Sequence, residues 1–560
     1  MAYGSVLLEA DDNRSSRKSR GAFFTPRGLA DSIARFAVAS KYDAVFEPSC
    51  GEAIFLLAAA DRLVQLGACP DSVGTQLFGN EIHEESAEAA RAKLSAAGVT
   101  ATVLTGDFFD MEPSEFRFDA IIGNPPYIRY QEFAGAERAK ARADALAAGV
   151  RIDALASSWA PFVVHAARFL KPGGRLGFVL PAELLTVQYA APVRAFLLRN
   201  FSKIQVTLFE QPVFPEVQEE VVLLYASGFG GGSSSRIYMS QVDSIEELGS
   251  NAVFTAPVEP SSRWPIGQNA LDAQVFLESL DTEKLARLSD YGSLRLGAVT
   301  GSNRFFALSA REAMDAGLSK SELIPICPPG SRHLRRLSFG DKEFNLLKDS
   351  GKRIYLFHPG NTLSAAAQAY IERGEELGID KAYKCRVRNP WWMVPGLHDC
   401  DLFFTYMNGI GPNLCHNKAG VCYLNSIHGL TLNEGMPRDI AELLPVAALS
   451  TFTLLSAELV GRSYGGGILK LEPREAGKLL LPAPGLVLGC ASKLRQATRP
   501  IEEALDEGRR DAATLIVDGI LLPELGVTAS EAQLAHGALL ELRARRHRRS
   551  KTRKSDGSEN

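Results

Sequence analysis

The chain has 560 residues, 46% hydrophobic and 22% charged, the composition of a folded globular protein too long for one ordinary core. No apolar run approaches the ~20 residues of a membrane span, and the polar, charged start MAYGSVLLEADDNRSSRKSR is unlike a signal peptide. Eight irregularly spaced cysteines suit a reducing cytoplasm better than a disulfide framework. The net charge of −4 is uneven: residues 543–560 carry eight Lys/Arg against Asp556 and Glu559, which leaves −10 on the remainder. Such a body still admits nucleic acid, because local patches set the field at a groove.

Residues 1–20 read as a disordered, mildly basic arm. Phe23-Phe24-Thr25-Pro26 then opens a predicted helix over 27–40, with Thr25 placed to cap it and Pro26 in its first turn. A short strand, 44–46, runs into Glu47-Pro48-Ser49-Cys50-Gly51-Glu52-Ala53 and an apolar helix, the opening βα unit of a nucleotide-binding sheet. A second strand ends in Glu81, placed to accept from ribose hydroxyls, and a third runs into Gly106-Asp107-Phe108-Phe109. There Asp107 can accept from an adenine amino group with Phe108 against its ring.

The fourth strand, 118–123, stops at Asn124-Pro125-Pro126-Tyr127. Two prolines in a row hold a stiff loop at the strand end. That loop offers an amide side chain, carbonyls and an aromatic face within four residues, a set that accepts both protons of an exocyclic NH2 while Tyr127 stacks on its base. An amphipathic helix, 159–170, turns through Lys171-Pro172-Gly173-Gly174 into a fifth strand. Two further strands, 203–209 and 220–225, follow with Phe214 in the loop between them, and 228–235 (GFGGGSSS) reads as a flexible turn or linker. This alternation argues an α/β, doubly wound sheet with an antiparallel hairpin at one edge.

In residues and motif order, the stretch 21 to about 245 resembles the catalytic domain of γ-class (Taq-like) N6-adenine DNA methyltransferases of restriction–modification type, a domain expected over 21–255. The order is Phe-Thr-Pro, Glu-Pro-Ser-Cys-Gly, Asn-Glu-Ile, Gly-Asp-Phe-Phe, Asn-Pro-Pro-Tyr, Lys-Pro-Gly-Gly and Val-Phe-Pro. Asn-Pro-Pro-Tyr alone is shared with enzymes that methylate protein glutamine or RNA, so the order carries the distinction. The resemblance implies a Rossmann-like class I fold with a seven-stranded mixed sheet. It also implies S-adenosyl-L-methionine held by Thr25, Glu47, Pro48, Ser49, Cys50, Gly51, Glu81, Ile82, Asp107, Phe108 and Asn124. Asn124, Pro125, Pro126 and Tyr127 would form the catalytic loop, and Tyr127 and Phe214 would sandwich a flipped adenine of double-stranded DNA. Ala53 stands where the family often has glycine, and His83 where an acid or amide is common. A separately encoded restriction endonuclease and a monomer acting on DNA are further expectations from the resemblance.

From about 256 the βα alternation gives way to short strands and loops, expected to form an α+β target recognition domain over 256–542. Leu296–Phe306 and Tyr464–Pro473 resemble segments of such domains. Lys384-Cys385-Arg386-Val387-Arg388 followed by Trp391-Trp392 interleaves cations with aromatics. Arg304, Lys384, Arg386 and Arg388 are therefore candidate DNA contacts. His398, Cys400, Cys415, His416, Cys422 and His428 lack the paired spacing of structural zinc, and no metal is expected. Residues 543–560 read as a basic flexible tail with weak phosphate contacts.

Overall fold

A computed structural model describes residues 25–551, except 114–116, 129–130, 134, 155, 212, 215–219, 250–252, 261 and 465; of 549–551 only the backbone is described. The expected arm, 1–20, and residues 552–560 lie outside the described residues. The chain divides into two compact units, Met1–Leu271 and Asp272–Asn560.

The first unit is built on one sheet. Its strands are β1 (Val45–Glu47), β2 (Leu77–Glu81), β3 (Thr102–Thr105), β4 (Phe118–Gly123), β5 (Leu170–Pro181), β6 (Phe201–Phe209), β7 (Val221–Phe229), β8 (Arg236–Val242) and β9 (Val253–Pro257). Their order across the sheet is β3-β2-β1-β4-β5-β7-β6-β8-β9. β3 through β5 are parallel, and β7 runs antiparallel to both β5 and β6. The sheet is larger than the expected seven strands because β8 and β9 extend it beyond β6. The GFGGGSSS segment is accordingly a connection within the sheet, turned by Gly228 and Gly230 at φ +73° and +72°.

Helices Arg27–Ala37 and Ile54–Gln65 pack together beside β1 and β5, with Leu29, Ile33, Phe55 and Leu56 in the core. The helix Trp159–Ala167 differs from its expected amphipathic character: all nine of its residues are buried. It packs against helices Gly135–Ala147 and Ala191–Asn200 as well as β5, so both its faces meet protein. The core also runs on past the expected boundary at 255. Trp264 is buried in it, and the Arg194 guanidinium, buried among apolar groups, donates to the carbonyls of Ser262, Leu184 and Val187.

The second unit is α+β. A five-stranded sheet places Gly292–Leu296, His428–Leu432, Leu402–Phe404, Leu414–Asn417 and Ser338–Phe339 in that order, and smaller sheets flank it in the chain. Its C-terminal part is helical, ending in Ala529–Lys551. Over 543–551 that last helix stands where the flexible tail, 543–560, was expected. Arg543, Arg545 and Arg546 are buried, Arg543 pairing with Asp511 at 2.7 Å and Arg546 with Glu458 at 2.8 Å. A run of like charge reads as solvated only while its counter-ions, here 32 and 88 residues away in the chain, are unseen.

Candidate active site

The C-terminal ends of β1, β2, β3 and β4 lie side by side, so the turns that follow them share one edge of the sheet. Asn80 and Glu81 lace the first three together. The Cys50 amide donates to the Asn80 carbonyl at 2.9 Å, and Asn80 Nδ2 donates to the Gly106 carbonyl at 3.0 Å. Glu81 Oε2 accepts from the Gly51 amide at 2.9 Å while Oε1 accepts from the His83 amide at 3.1 Å. Asn80 had no role assigned from sequence, although it adjoins the acid that did.

Glu47 is 1% exposed, and one of its oxygens accepts from the Leu56 amide at 3.2 Å. Burial chiefly, opposed by the Leu56 hydrogen bond and reinforced by the neighbouring Glu81 charge, pushes its carboxyl well above the usual carboxylate range. Two acids converging on one turn fit a cationic ligand group, whose charge would offset that penalty. Burial likewise raises the Cys50 thiol, which makes it an inert wall of the turn. Ala53 adopts φ 60°, ψ 28°, the left-handed region, at the start of helix Ile54–Gln65. A side chain there costs roughly 1–2 kcal/mol, a cost that a glycine at this position would avoid.

Asp107 caps the short turn Phe108–Asp110 by accepting from the Phe109 amide at 2.9 Å, and Lys140 approaches its other oxygen at 3.4 Å. Phe108 does not present the open ring expected of it. It is buried, with Phe162 and His165 at ring distances of 4.8 and 4.6 Å. Ile82, 53% exposed at the end of β2, is the apolar side chain open to a ligand there.

The Asn124–Tyr127 loop follows β4 and is tied to the β1 turn by Ser49 Oγ, which donates to the Asn124 carbonyl at 3.4 Å. Asn124 Nδ2 donates to Thr25 Oγ1 at 3.3 Å, so Thr25 orients the amide; the N-cap of helix Arg27–Ala37 is Pro26, without a side-chain cap. The Tyr127 hydroxyl lies 2.5 Å from Asn124 Oδ1 and 2.9 Å from the Val179 carbonyl, two acceptors for one proton. Among the described residues no donor takes the Pro125 carbonyl. Tyr127 and Phe214, expected to clamp a base, are each 7% exposed and belong to the core. The sequence also gave no sign of Ser158, which hydrogen-bonds to this loop from 30 residues away.

In the second unit, Arg304, Lys384 and Arg386 are exposed, and Lys384 Nζ lies 5.7 Å from the exposed Tyr383 ring. Arg388 is turned inward instead. Its guanidinium donates to the Thr300 carbonyl at 2.8 Å and to the Val299 carbonyl. It thereby holds the helical turn Tyr383–Arg386 against the turn at Gly301, where φ is +90° and a Cβ would lie 2.9 Å from Cys385 Sγ. Among the described residues no three of His, Cys, Asp and Glu stand close enough to hold a metal ion, and no single helix is long and apolar enough to cross a membrane.

Comparison with known proteins divides along the same lines. Residues 5–199 match the family model N-6 DNA Methylase, and residues 270–522 match that of the type II methyltransferase M.Eco57I, C-terminal domain. The type II methyltransferase M.AccI of Acinetobacter calcoaceticus is 22% identical over 505 residues, covering 86% of this chain and 89% of the relative. M.XamI of Xanthomonas campestris pv. amaranthicola is 26% identical over 505 residues, covering 86% and 88%. Among solved structures, the type IIL restriction-modification enzyme MmeI in complex with DNA matches 93% of this chain and 75% of its own, with a TM-score of 0.50 and 12% identity.

Proposed function

With residues 5–199 matching the N-6 DNA methylase family and residues 270–522 that of a type II methyltransferase C-terminal domain, the chain belongs to the adenine-specific DNA methyltransferases of restriction–modification type, and we propose how its own residues serve that reaction. The observation that carries the reading is the amide of Asn124, oriented by Thr25 on one side and Tyr127 on the other at the mouth of the strand-end turns.

S-adenosylmethionine, when bound, supplies a methyl group on a sulfonium already activated toward nucleophiles. Glu47 offsets positive charge on the cofactor, Glu81 and Asp107 accept its ribose and adenine donors, and Ile82 covers an apolar face. Glu81 already accepts two backbone amides, so cofactor donors take up its remaining acceptor capacity. The target amino group, whose lone pair is delocalised into the adenine ring, donates hydrogen bonds through its two N–H groups to Asn124 Oδ1 and the Pro125 carbonyl, and loses one of those protons to solvent once nitrogen carries the methyl group. Both acceptors favour the positive charge that develops on nitrogen. Asn124 Oδ1 carries a second lone pair, so it accepts from the amino group while the Tyr127 hydroxyl keeps its bond and holds the amide in place. Entry of a flipped base requires the Phe214 ring to move from its buried position and so uncover the Tyr127 ring, which stays held at its hydroxyl.

Arg304, Lys384, Arg386 and Tyr383 form the basic, aromatic surface proposed to meet duplex DNA. No acid interrupts residues 381–398 of this otherwise acidic chain. In this reading the enzyme acts in the cytoplasm as a monomer on DNA, beside a separately encoded endonuclease. The test is direct: the purified chain with cofactor and duplex DNA yields N6-methyladenine by mass spectrometry. Asn124→Ala abolishes the product while cofactor affinity stays within a few-fold. Near-wild-type turnover by that variant would remove Asn124 from the chemistry.

A further inference from the structure

Ser158 occupies the N-cap of the helix Trp159–Ala167, where a serine ordinarily spends its hydroxyl on the amides of its own helix. This one makes no such bond. Its hydroxyl donates to the Pro126 carbonyl at 2.5 Å and accepts from the Ile128 amide at 2.9 Å, and its own amide donates to the Ile128 carbonyl at 3.0 Å. One residue, 3% exposed, therefore brackets Tyr127 on both sides through the backbone. The platform beneath it is rigid: the helix is buried throughout, and Trp159 Nε1 donates to the Tyr189 hydroxyl at 3.2 Å.

Tyr127 passes this constraint forward. Its hydroxyl reaches Asn124 Oδ1 and the Val179 carbonyl, so the place of its Cα fixes the direction of the Asn124 amide. We propose that Ser158 is a positioning residue for the reaction: it sets the backbone around Tyr127 and, through that ring, the aim of Asn124 Oδ1. Helix capping is the duty the sequence would assign it; the geometry gives its hydroxyl to the catalytic loop. The inference rests on the reading of Asn124 as acceptor of the amino protons. Misplacement of a reacting geometry by about 1 Å costs on the order of 100-fold.

The experiment compares the full chain with Ser158→Ala and Ser158→Cys, the thiol keeping the shape of the side chain while bonding weakly. Turnover is normalised to the fraction that binds S-adenosylmethionine by calorimetry, so partial unfolding drops out. Both variants are expected to lose about ten- to 100-fold in kcat, with cofactor Kd within about two-fold and KM for DNA within a few-fold. A Ser158→Cys enzyme that turns over like wild type would overturn the proposal, as would a loss of activity explained wholly by weaker cofactor binding. Asn124→Ala runs beside them. If it stays active, the amide reading itself fails; if it is dead while both Ser158 variants turn over normally, only the role of Ser158 fails.

Discussion

Arg386 and Arg388 stand two residues apart, alike in sequence, yet the structure separates their duties into a measurable difference. Arg386 is exposed; Arg388 donates to the Val299 and Thr300 carbonyls. Each phosphate neutralised adds about 0.9 to the slope of log affinity against log salt, so one contact changes affinity about 3.5-fold between about 50 and about 200 mM salt. Arg386→Ala is expected to lower the slope by about one and leave the melting curve unchanged. Arg388→Ala removes two bonds from a charged donor, each worth roughly 1.5–3 kcal/mol before solvent replaces part of it. Since Arg388 is partly exposed, a loss of about 1–3 kcal/mol in that unit is expected, with the salt slope intact for the protein that remains folded. Fluorescence anisotropy on one duplex at several salt concentrations, beside urea unfolding, reads both quantities. A lower slope with unchanged stability for Arg388→Ala would show that its guanidinium meets phosphate, and the clamp would be refuted.

Two further outcomes follow from the site and the core. Glu81→Ala should weaken S-adenosylmethionine binding by about ten- to over a hundred-fold, since it removes charge-assisted acceptors and loosens the Gly51 and His83 amides together; unchanged calorimetric affinity would take Glu81 out of the site. Asp518, buried at the start of helix Thr451–Val460, accepts from the Thr451 amide and hydroxyl, yet burial raises its carboxyl from 3.8 to about 6. Because the folded chain holds that proton more tightly than the unfolded one, stability from this group is full below about 4 and lost as pH rises through about 6, by about 3 kcal/mol. Asp518→Asn keeps both partners, because the Thr451 hydroxyl can turn to accept and donate to His536 Nδ1 at 3.3 Å. Urea unfolding from pH 4 to 8, followed in the unit that carries Trp391 and Trp392, should show that variant more stable at neutral pH and flatter with pH; a variant less stable at pH 7 would contradict this.

Local chemistry decided much of this protein before any folding was visible. The Asn-Pro-Pro-Tyr stop, the Glu81 and Asp107 strand ends and the βα alternation are set within a few residues, because proline, glycine and period-two apolar runs act on their own neighbours. Those signals placed the Asn124–Tyr127 loop and the turns beside it at one edge of the sheet. What they could not carry was the partner of each side chain. Ser158 and the loop it brackets are 30 residues apart, Arg388 and Thr300 are 88 apart, and Arg546 meets Glu458 across another 88. Phe108 and Tyr127 read as open rings because their motifs sit at a ligand edge, but the packing buries both. The two extra strands of the sheet, likewise, depended on β8 finding β6 rather than on any feature of the glycine-rich segment before it. Sequence states what a side chain is able to do; burial and long-range pairing choose which of those capacities it spends, because only the folded chain removes water and supplies the competing partner.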